Sequence, residues 1–241
     1  LDIGNSRIKW GVQRDGSVRE TGIANLRDLA DEIPADVDST IACNVAGDKI
    51  ANEVAAVVET KVGTQIEYVQ STREAGGVRN SYADPSSLGV DRWVALIGAR
   101  ALTTEACIVV DAGTAVTIDA LDAAGQHLGG QILPGLQLMA KALNRDTSDL
   151  PDVSECLEHR SQDDGLFAKD TVDAIAAGVV SAATGAIAQA VQALQASGHV
   201  AALLLTGGDA GLLQRRLKGV SELRPNLVLE GLARLARREP D

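Results

Sequence analysis

The sequence predicts an α/β protein built as two similar halves, and three observations carry that prediction. The first is an internal echo. The chain opens Leu1-Asp2-Ile3-Gly4-Asn5-Ser6-Arg7-Ile8-Lys9-Trp10, and half a chain later reads Val110-Asp111-Ala112-Gly113-Thr114-Ala115-Val116-Thr117-Ile118-Asp119. Each copy is an apolar strand ending in Asp-x-Gly, a small polar residue, and a second alternating strand. The second observation is that a turn signal follows each copy, Arg14-Asp15-Gly16 in one and Asp122-Ala123-Ala124-Gly125 in the other. The third is that strand-like and helix-like segments alternate along the whole chain. A repeat of this length points to a duplicated architecture.

Between the copies, residues 40–45 read as a short strand, 48–59 as a helix and 65–69 as a strand. Residues 91–102 predict an amphipathic helix with Trp93, Leu96 and Ile97 inward. After the second copy come a Gly-Gly turn, a Pro-Gly turn and a helix over 136–143. Residues 148–165 are acidic and carry turn signals, so they predict a surface loop. Residues 170–194 predict a long helix of small residues, and 200–205 a strand that runs into Thr206-Gly207-Gly208-Asp209. The division is expected near 103–105, giving subdomains 1–103 and 104–241.

Composition narrows the function classes. Apolar residues make up 45% of the chain, ordinary for a folded protein. Aromatics are 2%, which argues against stacking platforms for single-stranded nucleic acid. A net charge of −11 makes the chain a poor general binder of nucleic acid or anionic membrane, so neither is expected as a partner. Local amides, lysine and Mg²⁺ can still hold a nucleotide on an acidic protein. Cys43, Cys107 and Cys156 form no CxxC pair and suggest neither a disulfide framework nor a zinc site. His127, His159 and His199 are equally scattered. With no leader expected, a cytoplasmic location fits. Residues 174–208 lack any charged side chain, yet Ser197-Gly198 breaks the run; a buried helix, a turn and a strand are expected there rather than a membrane span.

Five segments could carry chemistry. In Asp2-x-Gly4-Asn5-Ser6-x-x-Lys9 a tight turn exposes backbone N–H groups to phosphate, Lys9 adds charge, and Asp2 can reach a hydrated Mg²⁺. The competing reading is a plain hairpin. Asp111-x-Gly113-Thr114 repeats the logic with a hydroxyl at Thr114, and the pair is more telling than either alone. Thr206-Gly207-Gly208-Asp209 suits a nucleotide face, though many α/β loops look alike. In Gly89-Val90-Asp91-Arg92, Asp91 is either a helix N-cap or a general base, and Arg92 either a surface charge or an anchor for an anionic substrate. Gly129-Gly130-Gln131-Ile132-Leu133-Pro134-Gly135 reads first as two structural turns.

The ordered set DIGNSRIKW, GVDRW, DAGTAVTID, GGQILPGLQLM and TGGDA resembles the type III pantothenate kinase family, a branch of the actin/hexokinase/Hsp70 superfamily that includes Bvg accessory factor proteins. The likeness runs from residue 1 to about 232. It implies a duplicated ribonuclease-H-like, actin-like ATPase fold with a nucleotide cleft between the subdomains. It implies use of ATP and Mg²⁺, a requirement for K⁺ or NH₄⁺, and a homodimer. The implied reaction is phosphorylation of pantothenate, the first committed step of coenzyme A synthesis. Asp2, Ile3, Gly4, Asn5, Ser6, Arg7, Ile8 and Lys9 match the first phosphate segment. Tyr82 and Gly89, Val90, Asp91 and Arg92 match the pantothenate-contacting segment, with Asp91 as proton acceptor. Asp111 matches the monovalent-cation ligand, Thr114 an ATP contact and Thr171 a substrate contact. Ser6 stands where Thr is commoner, and Asp170 where Asn is expected before Thr171. The alternative of a kinase of another small hydroxylated metabolite shares such Asp-x-Gly turns, though no sugar-kinase signature is present. An accessory protein that kept only the fold predicts loss of Asp91 or Asp111, and both remain.

Overall fold

The two halves of the chain fold into five-stranded sheets with the same strand order. The computed structural model describes residues 1–157, 166–199 and 201–237. It divides into two compact units. One comprises Leu1–Thr104, the short segment Gly125–His127 and the C-terminal segment from Asn226; the other comprises Glu105–Ala124 and Leu128–Pro225. The C-terminal segment, which a single cut at 103 assigns to the second half, thus folds with the first.

In the first unit β1 (Asp2–Ile3) lies between β2 (Ile8–Arg14) and β4 (Thr40–Asn44), antiparallel to the former and parallel to the latter. β3 (Ser17–Ala24) and β5 (Ile66–Tyr68) close the edges, giving the order β3-β2-β1-β4-β5. The β2–β3 turn carries Asp15 at φ 51 and Gly16 at φ 73, the two positive values that a two-residue hairpin turn requires. Helices α1 (Leu29–Glu32) and α2 (Asp48–Val62) cover this sheet, and Ile3, Ile8, Leu29, Val54 and Val58 form its core. A small hairpin follows, β6 (Glu74–Ala75) with β7 (Val78–Arg79), then α3 (Val90–Leu102).

The second unit repeats the pattern. β8 (Ala106–Ala112) lies between β9 (Ala115–Leu121), antiparallel, and β11 (Ala201–Thr206), parallel. With β10 (His127–Pro134) and β12 (Glu222–Leu223) the order is β10-β9-β8-β11-β12, the first sheet's order with each number raised by seven. Its helices are α4 (Leu136–Asp146), α5 (Thr171–Ala196) and α6 (Ala210–Arg216). The sequence echo is therefore a repeat of topology: β1 and β8 are the same central strand, and each ends in Asp-x-Gly.

Two helices depart from expectation. α3 is buried from Arg92 to Ala99, not only on the Trp93–Leu96–Ile97 stripe. The cause is the C-terminal helix α7 (Leu227–Ala236), which packs on its second face so closely that a Cβ at Gly98 would stand 2.3 Å from the Leu227 carbonyl. α5 is long and apolar enough to cross a membrane by length and composition, and it is buried on one face only. Ile175, Val179, Ala183 and Ile187 join the core of the second unit, while Ala174, Gly178, Ala182, Gly185 and Gln189 are exposed. Residues 158–165 of the expected acidic loop, with His159, and Val200 of the expected strand lie outside the described residues.

Candidate functional site

The first Asp-x-Gly turn is built where β1 ends and β2 begins. Asp2 pairs with Lys9 and Ile3 with Ile8, and the Gly4 N–H donates to the Arg7 carbonyl across the turn at 3.1 Å. Asn5, Ser6 and Arg7 are exposed at the tip, as a phosphate-binding turn needs. Asp2 is partly buried beneath them. The Cys43 thiol, one strand over on β4, reaches Asp2 Oδ1 at 3.5 Å. Burial pushes the Asp2 carboxyl above its ordinary range; Lys9 and the Cys43 contact draw it back, and the charge of Asp91 raises it again. Asp91 is thus close enough to act on Asp2, although 89 positions separate them in sequence. Burial, with the charge of Asp2 next, holds the Cys43 thiol well above its usual range. It stays protonated at neutral pH and can donate to that carboxylate.

Asp91 enters through the start of α3. The residue that precedes the helix is Gly89, with no side-chain cap; Val90 and Asp91 are its first two residues. The Asp91 carboxylate accepts the Arg92 N–H at 2.8 Å at the start of the helix, and its charge reaches Asp2. Arg92 is not a surface charge: it is 6% exposed. Its guanidinium donates to the Tyr82 hydroxyl at 3.1 Å and lies 5.8 Å from the Tyr82 ring centre. A guanidinium kept in place by an aromatic neighbour is a pre-arranged fork for a carboxylate.

The segment before α3 is tied to itself rather than left loose. Arg73 donates to the carbonyls of Asn80 (3.2 Å), Tyr82 (2.7 Å) and Ala83 (2.8 Å). Asn80, buried, donates to the Thr72 and Pro85 carbonyls and accepts from the Tyr82 N–H. Ser71 donates to the Leu88 carbonyl at 2.7 Å. Asp84 caps the single 3₁₀ turn Pro85–Ser87 through Ser86. Sequence reading passed over Arg73, Asn80 and Ser81; their dense Arg, Asn and Ser content signals loop-tying side chains, but not which carbonyls they reach.

The second Asp-x-Gly turn joins β8 to β9. Asp111 pairs with Thr117 and Ala112 with Val116, one intervening residue fewer than in the first copy. Two of the other glycine motifs converge on it. The Gly135 N–H donates to the Thr114 carbonyl at 2.9 Å, and a Cβ at Gly135 would meet the Gly113 carbonyl at 2.3 Å. Gly207, at φ +94, leaves a Cβ 2.4 Å from the Ala112 carbonyl and 2.5 Å from Asp111 Oδ1. The Asp209 N–H bonds the Ala112 carbonyl at 3.0 Å. Gly129-Gly130, expected as a turn, lies instead within the continuous strand β10, while Pro134-Gly135 opens α4 against Thr114 and Gly207 closes over Asp111.

Thr171 is the first residue of α5 and is exposed. Asp170 caps the helix by accepting the Asp173 N–H at 2.9 Å, a task Asn performs equally, so the departure at 170 preserves local structure. Thr171 belongs to the second unit and lies in a shallow groove with Leu143, Leu150 and Lys169. No cluster of three or more His, Cys, Asp or Glu side chains able to hold a metal occurs among the described residues.

The profile of the type III pantothenate kinase family matches residues 1–193. A type III pantothenate kinase of Aromatoleum aromaticum is 40% identical over 250 residues, covering 99% of this chain and 97% of that protein. A Baf family protein of Campylobacter jejuni has a similar solved structure, TM-score 0.60 at 22% identity, over 98% of this chain and 96% of that one. A 2-dehydro-3-deoxygalactonokinase protein of Sinorhizobium meliloti aligns with TM-score 0.58 at 18% identity, covering 98% and 97%. The two structures share the duplicated fold.

Proposed function

The chain belongs to the type III pantothenate kinase family, and on that premise we propose how its own residues transfer the γ-phosphoryl group of ATP to pantothenate. The observation that carries the reading is a buried arginine held on a tyrosine next to Asp91, whose charge reaches Asp2 in the first phosphate turn. A nucleotide-binding turn has no need of a second carboxylate. An acceptor hydroxyl does, because a proton must leave as the bond to phosphorus forms.

In this reading Gly4, Asn5, Ser6 and Arg7 offer amides and side chains to ATP phosphates, Ile3 and Ile8 fix the turn, and Lys9 supplies charge. Thr114 contributes a further ATP contact. Arg92, steadied by Tyr82, grips the pantothenate carboxylate, with Gly89 and Val90 shaping the approach and Thr171 adding a contact. Asp91 accepts the hydroxyl proton. Two cations belong to the reading. The residues fit them: Asp2 is a carboxylate that burial and Asp91 make costly to ionise, which Mg²⁺ would relieve, and Asp111 offers a hard oxygen donor for K⁺ or NH₄⁺. Their chemistry is screening of phosphate charge; the proton and the orientation are left to the protein.

A homodimer is part of the proposal. The exposed face of α5 carries Ala174, Gly178, Ala182 and Gly185, and the chain around its start exposes Leu166, Phe167 and Val172. Uncharged small residues beside exposed apolar ones suit a self-complementary contact. Light scattering that showed only monomer at micromolar concentration would remove it. A cytoplasmic location, and no partnership with nucleic acid or membrane, complete the proposal.

The test is ADP release on adding pantothenate, against a panel of sugars, in potassium, ammonium and sodium buffers. Pantothenate alone should stimulate turnover, and only in the first two. Equal rates in all three buffers would remove the Asp111 cation, and stimulation by a sugar would remove the substrate assignment.

A further inference from the structure

His127 stands apart from every motif, yet it is 0% exposed, and it stacks on the one tyrosine that steadies Arg92. Its ring centre is 5.9 Å from that of Tyr82 with the planes 20° apart, and its Nδ1 is 3.3 Å from the Ser81 hydroxyl. A buried histidine is ordinary; one that contacts two consecutive residues 45 and more positions away is a tie between segments.

The chain goes to some length to deliver it. β9 and β10 from Leu128 onward belong to the second unit, but Gly125–His127, the end of the intervening turn and the first residue of β10, folds with the first. There it adds to β7: the Arg79 N–H donates to the Gly125 carbonyl at 2.8 Å, Gln126 donates to the Arg79 carbonyl at 3.1 Å, and Arg79 and Gln126 form a parallel bridge. Gly125 lies so close that a Cβ would meet the Gly77 carbonyl at 2.1 Å. A plain hairpin turn needs none of these bonds. Their effect is to fix the backbone one residue before His127.

We propose that His127 is a positioning residue for the substrate anchor: stacked on Tyr82 and bonded to Ser81, it holds the tyrosine in the one orientation that presents its hydroxyl to Arg92. Tyr82 is only partly buried and Ser81 is exposed, so without a partner the ring has freedom to turn. Arg92 then loses the Tyr82 hydroxyl and ring as partners, and its guanidinium is less firmly held for a carboxylate. His127 acts through Tyr82 and touches neither ATP nor the reacting atoms in this account. The inference rests on the assignment of Tyr82 and Arg92 to pantothenate.

The experiment is a double-mutant cycle in steady-state kinetics with His127→Ala, Tyr82→Ala and the pair. Loss of a stacked partner should raise KM for pantothenate roughly 3- to 10-fold. KM for ATP should stay within about twofold and kcat change less than KM for pantothenate, since neither the phosphate turn nor Asp91 is touched. The double variant should be no worse than Tyr82→Ala. Ser81→Ala, at an exposed position that leaves the core untouched, should give a smaller rise of the same kind and serves if His127→Ala fails to fold. Independent, additive losses, or equal damage to both KM values, would overturn the inference and return His127 to the core. If the parent chain shows no pantothenate-dependent turnover, the functional assignment falls and this inference with it. If the parent turns pantothenate over and His127→Ala and Ser81→Ala both keep its KM, this inference alone falls.

Discussion

The two Asp-x-Gly hairpins share strand order, the same position in their sheets and the same first three-residue pattern, yet they are finished differently. Around Asp2 the neighbours are chemical: Lys9 across the strand pair, the Cys43 thiol, and the carboxylate of Asp91. Around Asp111, Thr117 stands where Lys9 stands, and Gly135 and Gly207 approach so closely that a Cβ at either would meet backbone carbonyls of the turn. The first copy tolerates side chains at close quarters. The second leaves no room for a Cβ at two of its supporting positions. One fold, used twice, is thus finished with ionisable side chains beside the first turn and with close glycine packing beside the second.

The largest effect should come from the most chemical residue. Asp91→Asn should lower kcat about 10²- to 10⁴-fold while circular dichroism and ATP binding stay near the parent. A variant keeping a tenth of kcat would make Asp91 a helix-terminus residue and erase the contrast. Next, Lys9→Thr imports the second copy's residue into the first. It should raise KM for ATP roughly 10- to 100-fold, the range for a lost bond to a charged group. An unchanged KM would mean the two turns are chemically alike.

Glycine replacements probe the other side. Gly207→Ala meets carbonyl and carboxylate oxygens at a positive φ, and should cost roughly 1–3 kcal/mol in chemical denaturation. Gly4→Ala meets only the Arg7 carbonyl at 3.2 Å and should stay within about 0.5 kcal/mol. Equal costs would break the comparison.

The smallest effect is a matter of pH. Burial raises the Asp2 pKa in the folded chain, so the folded form holds its proton more tightly than the unfolded one. The stability this gives is fully present below the ordinary carboxylate range and is lost as pH rises through the raised value. Asp2→Asn should therefore melt slightly higher than the parent at pH 7 without nucleotide, with the advantage gone in acid, while losing activity. A variant that melts lower at pH 7 would show Asp2 to be a structural carboxylate.

Some of this was legible from residues alone. The repeat of Asp2-x-Gly4 and Asp111-x-Gly113 announced the duplicated topology, and the turn at Asp15-Gly16 formed as read. α2 and α5 appeared within a few residues of their expected ends. The helix over 91–102 was found, but its full burial was not, because α7 arrives from the far end of the chain. Arg92 read equally well as exposed or as an anchor, since a periodic pattern reports a helix face and not what covers it. Gly135 and Gly207 looked like independent turns, because nothing in their spacing says that both close on one hairpin.

By itself, then, the sequence determined what local physics determines: where strands and helices run, which turns need glycine, that the architecture repeats, and which residue types in that order belong to a phosphoryl-transfer family. Tertiary structure decided the meetings. It brought Asp91 to Asp2, set Arg92 under Tyr82, and carried His127 out of one half of the chain to stack in the other. The reason is range. Propensity and periodicity act over a few residues, whereas a carboxylate's pKa, a stacked ring or a collision at a missing Cβ depends on atoms that only the folded chain puts within a few ångströms.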